Sequence, residues 1–258
     1  MRRILIANWK MNLNHQTQTQ LAEDFKKRLK KIKQLEIVVA PSFVHLQEVS
    51  EIFNGTNIKL AAQDVAFEKS GAFTGEVSAG EVREIGCQYA IIGHSERRIK
   101  LNETEKMVSG KINQCYGAGM IPILCVGETS EERMRNETES VIIKQLYDSI
   151  YKVSGLPEKE IIIAYEPVWA VGGSQFLDPD ELAPIAFLVK KTLSAMYSEK
   201  FYNNNVRFIY GGSVNSIIAP AFWSAKFLDG LLIGAASLDI EEFYNIASEG
   251  ETFSARGQ

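Results

Sequence analysis

Short apolar runs alternate with stretches of helical period along the whole 258-residue chain. The clearest run is Ile161 to Tyr165, rich in β-branched residues, which reads as a strand buried on both faces. Runs of the same kind cover Ile4 to Asn8, Ile37 to Ala40, Ile58 to Ala62, Tyr89 to Ile92, Ile121 to Val126, Val206 to Tyr210 and Leu228 to Ile233. Between them apolar residues recur every three or four positions, as Leu21, Phe25, Leu29 and Ile32 do within Thr17 to Lys33. That period predicts helices over Phe43 to Phe53, Ala79 to Ile85, Glu103 to Gly117 and Glu131 to Val153, and a short one starting at Ser95. Asp178 caps a further helix, with Pro179 at its first position and Glu181 three residues after the cap. Two more are predicted near Ser216 to Trp223 and over Glu241 to Ser248.

Eight strand–helix units with no linker between them argue for one domain over residues 1–250, with 251–258 as a loose polar tail. Eight strands close a parallel barrel, and about 250 residues is its usual length. A doubly wound sheet would carry a glycine-rich turn after its first strand. Asn8-Trp9-Lys10 stands there instead, and no G-x-G-x-x-G occurs. The expected fold is α/β, a single-domain (β/α)8 barrel of eight parallel strands.

Composition removes several classes. A net charge of −4 with no basic block leaves no nucleic-acid partner. The apolar runs fall short of the roughly 20 residues of a membrane span, and Met1 to Trp9 lacks the pattern of a signal peptide, so a cytoplasmic protein is expected. Cys87, Cys115 and Cys125 are odd in number and share no C-x-x-C, which argues against disulfides and a zinc knuckle. N-x-T triplets at Asn54, Asn102 and Asn136 are read as chance matches.

In a barrel the residues just after each strand share one mouth. Those positions hold Asn8 and Lys10, then Gln63, then His94, Ser95 and Glu96, then Cys125 and Glu128. Glu166, Gly211 to Ser213, and Gly234 with Ala235 complete the set. Glu166 is a lone acid at a strand tip, directly before Pro167 and a loop with two glycines. The small-residue turns follow strands seven and eight, where barrels commonly bind phosphate through backbone N–H groups. Taken singly, Glu166 could serve in an ion pair, His94 reads as structural until its place at a strand end makes the chemical reading equal, and Lys10 is a weak signal. His15 and His45 lack comparable settings and are read as structural.

Together the motifs resemble the triosephosphate isomerase family. They are N-W-K-M-N at Asn8 to Asn12, G-A-F-T-G-E at Gly71 to Glu76, I-G-H-S-E-R-R at Ile92 to Arg98 and C-V-G-E at Cys125 to Glu128. A-Y-E-P-V-W-A at Ala164 to Ala170, Y-G-G-S-V at Tyr210 to Val214 and a variant last-strand motif at Asp229 to Leu238 follow in the family's order. The resemblance implies a TIM barrel and a cofactor-free, metal-free homodimer that interconverts dihydroxyacetone phosphate and glyceraldehyde 3-phosphate through an enediolate. It implies Glu166 as the base, His94 as the electrophile, Lys10 as the cation beside the substrate and Asn8 as a positioning residue. Gly172, Ser213, Gly234 and Ala235 would bind phosphate, and Gly71 to Glu76, with Thr74 near its tip, would reach into the partner subunit. His94 would work as a neutral imidazole at the start of the helix beginning at Ser95, an arrangement for which this family is the standing example.

Two positions depart from the family's pattern. The mobile loop usually runs A-I-G-T-G-K, and here it is A-V-G-G-S-Q over Ala170 to Gln175. Ala235 replaces the second glycine of the last turn, and an alanine keeps its N–H. The altered loop leaves open a related four-carbon ketose phosphate as substrate, and an inactive phosphate-binding barrel is the non-enzymatic alternative. Val171 and Leu232 are expected as apolar walls around Glu166, since a carboxylate stripped of water is the stronger base.

Overall fold

The computed structural model describes residues 1–170 and 177–256. Among them β1 (Ile4–Asn8), β2 (Glu36–Ala40), β3 (Lys59–Ala62), β4 (Cys87–Ile92), β5 (Ile121–Val126), β6 (Ile161–Tyr165), β7 (Val206–Tyr210) and β8 (Gly230–Ile233) pair in parallel in chain order. The sheet closes where Ile4 to Ala7 pair with Gly230 to Ile233. Side chains alternate along each strand, and both faces are apolar, which is why the runs lack polar alternation. Ile4, Ile6, Ile91, Ile123, Ile162 and Ile209 fill the interior. Leu5, Val39, Ile163, Phe208 and Leu231 face outward onto the helices.

The N-terminal end of the barrel holds a polar plug that the apolar runs did not foretell. Glu36, the first residue of β2, accepts from Arg207 at 2.7 Å, from Tyr89 at 2.6 Å and from Lys59 at 2.5 Å. Burial pushes the Glu36 carboxyl upward, but the bonds from Lys59 and Tyr89 and the Arg207 charge outweigh it and hold the pKa at about 2.

The expected helix over Glu131 to Val153 is two helices, Ser130–Met134 and Thr138–Ile150. They part at Asn136, whose φ of 56° is left-handed and cannot continue a right-handed helix. A helix over Glu199–Asn205 was not expected, because its only buried anchor is Phe201. The last helix runs Ile240–Arg256, so the stretch read as a tail is helical as far as its description reaches. Glu251 explains the extension: its carboxylate accepts the N–H groups of Lys33, Gln34 and Leu35 at 2.7–3.0 Å.

Candidate active site

Glu166 is clamped between the ends of three strands. Its N–H donates to Val126 O at 2.8 Å, and the preceding Tyr165 carbonyl accepts from Gly211 N–H at 2.8 Å. Two glycines make room for it. A Cβ at Gly127 would stand 1.9 Å from the Glu166 carbonyl oxygen, and one at Gly211 would stand 2.8 Å from Glu166 Cγ. The carboxylate is buried, at 2% exposure. Its Oε1 lies 3.2 Å from His94 Nε2, and its Oε2 accepts the Ser95 N–H at 3.1 Å. Burial, then the nearby Glu166 charge, drive the neighbouring Cys125 thiol well above its ordinary pKa, so it is an unreactive packing group.

His94 caps the helix Ser95–Lys100, and its Nδ1 accepts the Glu96 N–H at 3.2 Å. With Nδ1 engaged as an acceptor, a neutral ring carries its proton on Nε2. That N–H points to where Glu166 Oε1 now sits, the place a substrate oxygen could take.

Lys10 has φ 52°, a left-handed conformation that costs a non-glycine residue about 1 kcal/mol or more. The surroundings impose it: the Lys10 N–H donates to Asn8 Oδ1 at 3.2 Å and its carbonyl accepts from Gln63 Nε2 at 3.0 Å. Gln63 is itself tied to the Ala40 carbonyl at 2.9 Å. The ammonium lies 2.9 Å from Glu96 Oε1. Burial acts to raise the Glu96 carboxyl, but the Lys10 hydrogen bond and charge prevail and hold it below the usual range.

On the far side, β8 ends at Ile233, and Gly234 caps a 3-10 turn that begins at Ala235. The opening N–H groups of such a turn have no partner within it. Ala235 is exposed and is not among the residues with positive φ, so the turn accepts an alanine where the family has glycine. One cavity of about 480 Å³ gathers Asn8, Lys10, His94, Glu166, Ser213, Gly234 and Ala235, with Leu232 as an apolar wall. Thus seven of the eight expected residues meet in one place. The eighth, Gly172, lies outside the described residues, as do Val171 and the other altered-loop residues through Gln175.

Both ends of that loop are anchored. Glu128, fully buried, accepts from Tyr165 Oη at 3.0 Å and from Trp169 Nε1 at 2.9 Å. Ser213 Oγ donates to the Ala170 carbonyl at 2.7 Å, and the Leu177 N–H donates to Tyr210 Oη at 3.2 Å. Gln63, Glu96 and Glu128 all stand at strand ends, a signal available in the sequence, but their partners lie 53, 86 and 41 residues away and no local pattern names them.

A family profile described as triosephosphate isomerase matches residues 3–250. The triosephosphate isomerase of Dictyoglomus thermophilum is 40% identical over 245 residues, covering 95% of this chain and 98% of that protein. The enzyme of Aquifex aeolicus is 38% identical over 246 residues, with 95% and 98% covered. The crystal structure of triosephosphate isomerase from Bartonella henselae superposes with a TM-score of 0.86 at 30% identity, covering 96% of this chain and 99% of that one.

Proposed function

The chain belongs to the triosephosphate isomerase family and interconverts dihydroxyacetone phosphate and glyceraldehyde 3-phosphate, and we propose that Glu166, His94 and Lys10 perform the chemistry. The supporting observation is the 3.2 Å approach of His94 Nε2 to Glu166 Oε1 inside a cavity that Lys10 and two small-residue turns also line.

In this reading the substrate carbonyl oxygen takes the Nε2–H of His94, displacing Glu166 Oε1. The freed carboxylate removes the proton from the adjacent carbon and the electron pair moves onto oxygen, giving an enediolate. Lys10 and the His94 N–H stabilise that charge as it develops. The hydroxyl proton passes to the former carbonyl oxygen by way of His94 Nε2, and Glu166 returns its proton to the neighbouring carbon, which converts ketose to aldose with no net change in atoms. Asn8 holds the Lys10 backbone, and the N–H groups of Ser213, Gly234 and Ala235, with Gly172, take the phosphate.

The protein works as a homodimer in this proposal, with the loop Gly71 to Glu76 reaching into the partner. That loop is exposed throughout. Met11, Val44 and Phe73, on the loops that follow β1, β2 and β3, are 94%, 84% and 40% exposed, an apolar set that a partner would cover. We place the enzyme in the cytoplasm. Among the described residues no helix is long and apolar enough to cross a membrane, and the three cysteines are free and buried.

Glu166→Gln tests the assignment. Triose phosphate turnover in a coupled assay should nearly vanish while a phosphate-bearing enediolate analogue still binds. Turnover near the wild-type rate would remove Glu166 as the base. A four-carbon ketose phosphate run in parallel tests whether the A-V-G-G-S-Q loop widens the substrate range.

A further inference from the structure

Two of the three histidines take no part in the cavity, and they stand together with an acid. His15 is the first residue of the helix His15–Arg28, whose start is fixed by the reciprocal cap between Asn14 and Thr17. His45 closes the 3-10 turn Phe43–His45, and Glu48 lies three residues on in the helix Leu46–Phe53, so both project from one face. The two helices follow β1 and β2 and pack side by side. His15 Nδ1 lies 3.1 Å from Glu48 Oε2, and the two imidazoles are 5.2 Å apart between centroids, tilted by 38°. One donor atom from each of His15, His45 and Glu48 lies within 4.8 Å of the others. Thr19 Oγ1 sits 2.8 Å from Glu48 Oε1, which holds one carboxylate oxygen and leaves the other toward the histidines.

We propose that His15, His45 and Glu48 form a binding site for a divalent transition-metal ion, zinc(II) foremost, with water completing the coordination. Two imidazoles and one carboxylate are a donor set that such ions take, whereas magnesium and calcium favour oxygen alone. Metal–ligand bonds of about 2.0–2.2 Å put tetrahedral donors roughly 3.3–3.5 Å apart. At 3.1 Å, His15 Nδ1 and Glu48 Oε2 need to part by only a few tenths of an ångström to reach that spacing. His45 must swing inward; in the single chain His15 is exposed and His45 half-buried, so closing the site disturbs no core packing. A bound ion would bridge the first βα unit to the second, in place of the present His15–Glu48 pair.

Zinc(II) titration of chelator-stripped, full-length protein by calorimetry tests the site, with cobalt(II) absorption as a second readout. The expected result is one ion per chain in the micromolar range or tighter, and a visible cobalt spectrum of low coordination number. His15→Ala, His45→Ala and Glu48→Gln should each weaken binding at least roughly tenfold, and the exposed His15→Ala should do so with isomerase turnover unchanged. Zinc should raise the melting temperature of wild type and of none of the three variants. No saturable binding at micromolar zinc overturns the proposal. So does undiminished binding in the variants, which would put the ion at His94 and Glu166 or on a cysteine. Should the half-buried His45 prove necessary for folding, the exposed His15 variant decides alone.

Discussion

Gly211→Ala would test how Glu166 is held without altering any group that reacts. The added Cβ would stand 2.8 Å from Glu166 Cγ and 3.5 Å from Oε1. Carbon pairs rest at about 3.5–4.0 Å, so the contact is short by about 0.7 Å or more. Gly211 is not among the glycines with positive φ, so its own backbone accepts alanine. Neither main chain can yield easily, since Gly211 N–H is bonded to Tyr165 O and Glu166 N–H to Val126 O, both at 2.8 Å. The Glu166 side chain must therefore move, and its carboxylate with it. Misplacing a reacting group by about 1 Å can cost up to about a hundredfold. A shift of about 0.7 Å then predicts a loss of roughly ten- to thirtyfold in kcat, or about 1.4–2 kcal/mol of barrier. Coupled assays in both directions would read kcat and KM, competition would read binding of a phosphate ester, and a thermal melt would check the fold. The expected pattern is a fall in kcat with KM and phosphate-ester affinity nearly unchanged. A folded variant with wild-type kcat, or a loss confined to KM, would refute the reasoning.

Other substitutions probe other parts. Lys10→Ala removes the cation facing the cavity and should cut kcat/KM by roughly 10²–10³, the size of losing one preorganised donor; an unchanged enzyme would contradict its role. Glu36→Gln tests the plug at the closed end of the barrel. Burial raises the Glu36 carboxyl and Lys59, Tyr89 and Arg207 more than reverse that, to a pKa of about 2. A depressed carboxyl stabilises the fold above its unfolded pKa and loses that contribution as pH falls toward 2. Discounted for its partial solvent contact, this is on the order of 2 kcal/mol. The variant should melt lower than wild type at pH 7, and the gap should close between pH 5 and 2; a gap constant with pH would be the contrary result.

The parts of the fold legible in the sequence were those with a local cause. β1, β5, β6 and β7 begin and end where their apolar runs do, and the Asp178–Pro179–Glu181 cap forms as written. The break at Asn136 was hidden because nothing in an otherwise periodic stretch announces a left-handed residue. Glu199–Asn205 was hidden because a polar helix with one buried side chain leaves almost no period. Strand-end position alone collected the residues of the cavity. What it could not supply was pairing across the fold, such as Gln63 holding Lys10 or Glu128 bonding Trp169. Nor could it foresee the buried ions. Lys111, fully buried, bonds Asp64 and Glu103 at 2.6–2.8 Å from 47 and 8 residues away, and in sequence it reads as one more exposed helix lysine. Ala235 looked like a departure in the phosphate turn, yet its backbone conformation is an ordinary one.

The most direct measurement is proton NMR of dihydroxyacetone phosphate turning over in D2O. A carboxylate that carries the substrate proton trades it with solvent, so wild-type enzyme should place deuterium on the carbon from which the proton is taken or to which it returns. Glu166→Gln, still able to bind a phosphate-bearing analogue, should leave that carbon protonated at the rate seen without enzyme. Deuterium entering at close to the wild-type rate in this variant would mean that some other group moves the proton.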